Sequence, residues 1–113
     1  MHELSIINDV LDSCLSAAAL EGAGQINRIR LKIGERSGVS LDALGFAFEV
    51  ARIGTLAEGA QLDLVALKAE ALCLECGQVF RPEMGLFLEC PHCQGVGQLR
   101  QGQELLIDSL EIQ

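Results

Sequence analysis

Four of the five cysteines fall into two pairs of identical spacing, Cys73-Leu74-Glu75-Cys76 and Cys90-Pro91-His92-Cys93, with thirteen residues between them. A two-residue gap lets both sulfurs of one tight turn face a single ion, and two such turns complete a tetrahedron of thiolates. The pattern predicts a four-cysteine zinc site, although the interval is slightly shorter than the most familiar zinc-ribbon spacing. Four soft donors leave no open position for water, so such a zinc is structural, not catalytic. A rubredoxin-like iron centre and a redox dithiol are the competing chemistries for the same residues. His92 reads first as a solvated turn residue and second as a substitute ligand when a thiolate is protonated. Gly77 and Gly95 stand where the backbone of a metal knuckle turns to positive φ.

At the other end the chain reads Met1-His2-Glu3. A free α-amine, the backbone nitrogen of His2 and its imidazole close adjacent chelate rings in one plane, and the backbone nitrogen of Glu3 adds a fourth donor. Square-planar nitrogen ligation is what Ni(II) or Cu(II) prefers and what zinc does not require. Taken alone, a histidine at position 2 is more often part of a loose polar terminus than a ligand. Cys14 has no metal-binding neighbour in sequence and reads as a small core residue.

The elements that must position these residues are visible in the hydrophobic periodicity. From Leu4 to Leu20 the apolar residues Ile7, Val10, Leu11, Cys14 and Ala18 recur at spacings of three and four, an amphipathic helix stopped near Gly22. Ile29, Leu31 and Ile33 alternate with Arg28, Arg30 and Lys32 in a half-buried strand. After the turn Gly34-Glu35-Arg36-Ser37-Gly38, Ser40 caps a second helix lined by Leu44, Ala47, Phe48 and Ala51 and closing at Gly54. A second strand runs from Ala60 to about Leu67, and strand, helix, strand at this spacing implies a right-handed crossover and a parallel pair. From Glu104 to Ile112 a last strand presents Leu106, Leu110 and Ile112 opposite Ser109 and Glu111, with Leu105 and Ile107 blurring the pattern.

All four paired cysteines lie between the second strand and the last. The expectation is an α+β fold: two helices packed on a three-stranded mixed sheet, with an inserted four-cysteine zinc-ribbon-like module. Residues 1–68 and 102–113 form the α/β domain and residues 69–101 the zinc-binding domain. With few large apolar residues, chiefly Val79, Phe80, Leu86 and Phe87, the insertion needs the metal to fold.

With 113 residues the chain suits one modest core and an appendage, and its four aromatics are all Phe, so that core is aliphatic. A formal net charge of −8 opposes binding to nucleic acid and anionic membranes. There is no signal-peptide order at the start and no membrane-length apolar run, so the expected location is cytoplasmic, where thiols stay reduced. The basic strand face of Arg28, Arg30 and Lys32 reads as an uncovered sheet face paired with acids such as Asp63. The chain has no GxxxxGK[ST] loop of its own.

Met1-His2-Glu3-Leu4-Ser5 opening a helix resembles the start of HypA/HybF proteins. Ile33-Gly34-Glu35-Arg36-Ser37-Gly38-Val39, then Phe46-Ala47-Phe48-Glu49, is similar to that family's central motif. Ala57-Glu58-Gly59-Ala60, the CxxC pairs and the last strand also fall where the family has them. The resemblance covers essentially the whole chain. It implies a nickel metallochaperone, not an enzyme, that delivers Ni(II) to the large subunit of [NiFe]-hydrogenase, works with the HypB-type GTPase and can assist urease maturation. By the same resemblance His2 is the essential nickel ligand, Met1 and Glu3 contribute backbone nitrogens, and the Glu3 carboxylate is a further candidate. Zn(II) on Cys73, Cys76, Cys90 and Cys93 is structural. Both a monomer and a homodimer stay open. Some relatives add a carboxylate from the loop before the second helix, but here Ser37-Gly38-Val39-Ser40 has no acid. The rival classes are a zinc-ribbon interaction module and a small thiol oxidoreductase.

Overall fold

The computed structural model describes residues 2–82 and 88–113. The expectations placed on Met1, Leu86 and Phe87 therefore lie outside the described residues.

Helix α1 (Glu3–Leu20) buries Ile7, Val10, Leu11, Cys14 and Ala18, the stripe that the periodicity marks. It ends where Gly22 takes φ 69° and the Ala23 N–H returns to the Ala18 carbonyl at 2.9 Å. Strand β1 (Ile26–Gly34) follows, with Ile26, Ile29, Leu31 and Ile33 facing the core. Helix α2 (Leu41–Ala51) begins at Ser40, whose hydroxyl accepts the Ala43 N–H at 3.2 Å. The remaining strands are β2 (Gln61–Leu67), β3 (Glu70–Cys73), β4 (Val79–Phe80), β5 (Gly97–Gln101) and β6 (Leu105–Ile112).

The first sheet has the order β2-β1-β6, with β2 parallel and β6 antiparallel to β1. One core joins α1, α2 and the inner face of this sheet, centred on Ile7, Ile29, Leu31, Leu44 and Phe48. The outer face carries the cross-strand ion pairs expected of it. Arg28 reaches Asp63 and Glu111 at 3.3 Å each, Arg30 reaches Asp63 at 3.6 Å, and Lys32 reaches Asp108 at 3.3 Å.

Strand β6 departs from the simple alternation. Arg30 pairs with Ser109 but Leu31 pairs with Ile107, so Asp108 is one residue too many and forms a bulge. The bulge inverts the phase upstream of it. Leu110 and Ile112 pack on the core as expected, whereas Leu105 replaces Leu106 there and Leu106 is 51% exposed.

The second sheet, β4-β3-β5, is antiparallel throughout, and its strands carry no clear signal in the sequence. Among the described residues its small core consists of Ala71, Cys73, Phe80 and Cys90 with Leu88 packed against them. Ala and Cys carry too little apolar weight for their alternation along β3 to stand out.

Two chain passages, before β3 and after β5, connect the sheets, and both are fastened to the end of β1. The Gly34 N–H donates to the Glu104 carbonyl and the Arg36 N–H to the Gly102 carbonyl, each at 2.7 Å, while the Glu35 N–H reaches the Leu67 carbonyl at 2.8 Å. The Glu35 carboxylate accepts the Ala69 N–H at 2.5 Å, and the Glu104 carboxylate accepts that of Gly102 at 2.7 Å. A Cβ on Gly34 would collide with the Gly102 carbonyl group, and Gly102 itself takes φ 123°. Only glycines permit this backbone crossing. Gly34→Ala should accordingly lower stability by roughly 2 kcal/mol or more, measured by chemical denaturation; an unchanged midpoint would show that the crossing yields freely.

Candidate metal centres

The cysteine pairs are brought together by two hairpin-like turns at the free end of the second sheet. Cys73 ends β3, and the chain turns back with the Gly77 N–H bonded to the Cys73 carbonyl at 3.1 Å. The second turn repeats this arrangement, with the Gln94 N–H on the Cys90 carbonyl at 2.9 Å. Gly77 takes φ 76°, as the knuckle reading requires. In the second turn the left-handed residue is Gln94, at φ 61°, and not Gly95. Gly95 is needed for space instead, since a Cβ there would lie 2.7 Å from a Glu75 carboxylate oxygen and 3.2 Å from the Cys93 sulfur.

All four sulfurs lie within 4.8 Å of one another. Cys73 and Cys93 approach to 3.5 Å and Cys76 and Cys90 to 3.7 Å, so each of these contacts joins one CxxC pair to the other. A tetrahedron with metal–sulfur bonds of about 2.3 Å has edges of about 3.8 Å. The donor set thus fits one tetrahedral thiophilic ion, and Zn(II) is the ion such sets usually hold. Backbone N–H groups of Cys76 and His92 point at the sulfurs of Cys73 and Cys90, both at 3.4 Å, and stabilise thiolate charge there. The His92 side chain is exposed and stands outside the four-sulfur group.

The thiols of Cys73, Cys76 and Cys93 do not ionise alike. The Cys76 N–H holds Cys73 down to about 6. Cys93, although the Gly95 N–H favours its thiolate, is pushed up to about 12 by the Cys73 sulfur and by burial. Cys76 is also raised: burial and the sulfurs of Cys73 and Cys90 outweigh the Gln78 N–H. Negative charge is thus favoured on Cys73 and opposed on Cys76 and Cys93, an opposition that a divalent cation reverses.

At the other end of the molecule His2 is the N-cap residue of α1; its carbonyl accepts the Ile6 N–H at 3.1 Å and its imidazole is exposed and makes no capping bond. The Glu3 carboxylate crosses to α2 and accepts the Ser40 N–H at 3.2 Å, and that bond holds its carboxyl below the usual range. Sequence reasoning misses this contact. The only hint is that Ser40, as an N-cap, leads a helix whose free N–H groups attract a carboxylate. Ser40 belongs to the acid-free loop before α2, so Glu3 supplies from α1 the negative charge that the loop lacks. His2, Glu3, Leu4 and Ser5 line an open groove with Ala43, Phe46, Ala47 and Val50. Cys14 is buried in the core, where burial pushes its thiol up, and it lies apart from both centres. No helix among the described residues is long and apolar enough to cross a membrane.

Thiolate ligation must release protons, so ion uptake by the four-cysteine centre weakens as pH falls. Because Cys73 sits near 6 while Cys76 and Cys93 are raised, zinc affinity measured against a competing chelator should drop steeply between about pH 7 and pH 5, with more than one proton taken up per ion lost. A flat profile would contradict thiolate ligation.

Comparison with known proteins places the chain in a family. The profile described as "HypA: Hydrogenase/urease nickel incorporation, metallochaperone, hypA" matches residues 1–112. The chain is similar to the hydrogenase maturation factor HypA of Chlorobium limicola, at 40% identity over 114 residues covering 100% of this chain and 97% of that protein. It is likewise similar to that of Rhodobacter capsulatus, at 40% identity over 113 residues and 99% of each chain. Among solved structures, that of the Ni metallochaperone HypA from Helicobacter pylori superposes with a TM-score of 0.71 at 33% identity, covering 99% of this chain and 97% of that one.

Proposed function

The chain belongs to the HypA family of hydrogenase/urease nickel-incorporation metallochaperones, and on that premise we propose that it binds Ni(II) at its own N-terminus and delivers it for maturation of [NiFe]-hydrogenase, and of urease where one is made. The ligands are the Met1 amine, the His2 imidazole and the backbone nitrogens of His2 and Glu3. The observation that carries this reading is the setting of His2, exposed at the head of α1 while its neighbour Glu3 is tied to Ser40. The imidazole is free to ligate, and the peptide that must wrap the ion is held at a fixed place beside α2. Since the Glu3 carboxylate already accepts the Ser40 N–H, using it as a ligand would compete with that bond, which favours the all-nitrogen set.

The four-cysteine centre holds Zn(II) as a structural ion on Cys73, Cys76, Cys90 and Cys93. When bound, the zinc supplies cross-linking charge to a sheet with little core of its own. We divide the chain accordingly into residues 1–68 with 102–113, which carry nickel, and residues 69–101, which carry zinc. The work is ligand exchange with no turnover. A terminal site suits it, because a chain end has few buried contacts and can enter a partner's pocket. The partners are the HypB-type GTPase, the hydrogenase large subunit and urease maturation proteins, and the setting is the cytoplasm.

Titration calorimetry with Ni(II) on protein with an unmodified N-terminus tests the nickel site. His2→Ala should abolish nickel binding while zinc stays at one per chain, and an N-terminal extension should weaken nickel without disturbing zinc; a nickel isotherm indifferent to both changes sinks the proposal. Cys76→Ser should unfold residues 69–101 and leave the helical signal of α1 and α2 intact. Cooperative loss of the whole fold in that variant would refute the division into two domains.

A further inference from the structure

Helix α2 is apolar on both sides. Leu44, Ala47 and Phe48 face the core, yet Phe46 is 75% and Val50 55% exposed on the opposite side, one turn apart. Leu4 of α1, 52% exposed, stands across the groove from them. A helix with this pattern has a second surface to bury. The strip begins at His2 and Glu3, which share the groove with Phe46 and Val50.

The charges on the two helices that bear the strip are of one sign. Neither helix contains a Lys or Arg, whereas Glu3, Asp9, Asp12, Asp42 and Glu49 all lie on them. Asp42 precedes Phe46 by one turn and Glu49 follows it. Arg52, at the end of α2, is spent within the molecule: it bonds Glu49 at 2.8 Å and the Ala60 carbonyl at 3.0 Å and lies over the Phe48 ring. A second copy docked through the same face would oppose acid with acid, and an anionic membrane would be repelled likewise.

We infer that the strip of Leu4, Phe46 and Val50 seats a protein partner whose apolar side chains are ringed by Lys and Arg, held beside the metal-bearing chain head. The inference rests on the proposed nickel site in one respect, that the occupant is a protein of nickel transfer. Apolar contact supplies the affinity and the complementary rim sets the encounter rate and orientation, so that the receiving ligands arrive next to His2.

The test measures association of the zinc-loaded chain with the purified HypB-type GTPase and with the hydrogenase large subunit, by calorimetry at several salt concentrations. Phe46→Ser should weaken binding to the nickel-transfer partner by at least about tenfold while leaving nickel and zinc stoichiometry and the circular dichroism unchanged. Asp42→Lys should weaken it less and flatten its dependence on salt. Three results overturn the inference: neither protein binds the native chain, binding is indifferent to Phe46→Ser, or the native chain is a dimer that Phe46→Ser dissociates. The two readings fail separately. Nickel binding unaffected by His2→Ala removes the metal site and leaves the docking strip standing, whereas unaltered association of Phe46→Ser removes the strip alone.

Discussion

Thiolates within 4.8 Å of one another repel unless a cation lies among them, and the four sulfurs of this chain are held at that range by two turns whose backbones are bonded to them. The rest of the second sheet follows from this. Among the described residues its core is Ala71, Cys73, Phe80 and Cys90, so two of these four interior residues belong to the sulfur cluster. On the proposed function, the binding energy of an ion held there would contribute folding energy to the sheet around it.

The first sheet is stabilised in another way. Its inner face and the two helices enclose a continuous aliphatic core, and its outer face neutralises each strand base against an acid on a neighbouring strand. Such half-exposed pairs add little stability individually. Their effect is on the distribution of charge: bases are matched on the sheet side, and the acids of α1 and α2 remain on the other. The net charge of −8 is thus not spread evenly but weighted toward the side that presents His2.

Much of this architecture is legible in the sequence because its signals are periodic. The stripe of α1, the alternation in β1 and the cap at Ser40 each use side chains large or specific enough to mark the face they occupy. What stays hidden is set by backbone geometry or by small residues. The bulge at Asp108 moves Leu105 inward and Leu106 outward, which no alternation rule can anticipate. The strands β3 and β5 escape because Ala71, Cys73 and Gly97 mark their inner faces with little bulk. At the sites, the paired cysteines and their spacing declare the centre without knowledge of its turns, although the left-handed residue proves to be Gln94. The link between Glu3 and Ser40 joins residues distant in sequence through one carboxylate and one N–H, and no local pattern encodes it.

The fastening at Gly34, Glu35 and Arg36 has a mechanical meaning. Two antiparallel passages pinned side by side behave as a splice, far stiffer toward bending than one free linker would be. Four residues beyond the splice the same backbone reaches Ser40, which grips Glu3. The path from the splice to the head of α1 is thereby short, running through Ser37, Gly38 and Val39 to the bond between Ser40 and Glu3 in a molecule 54 Å long.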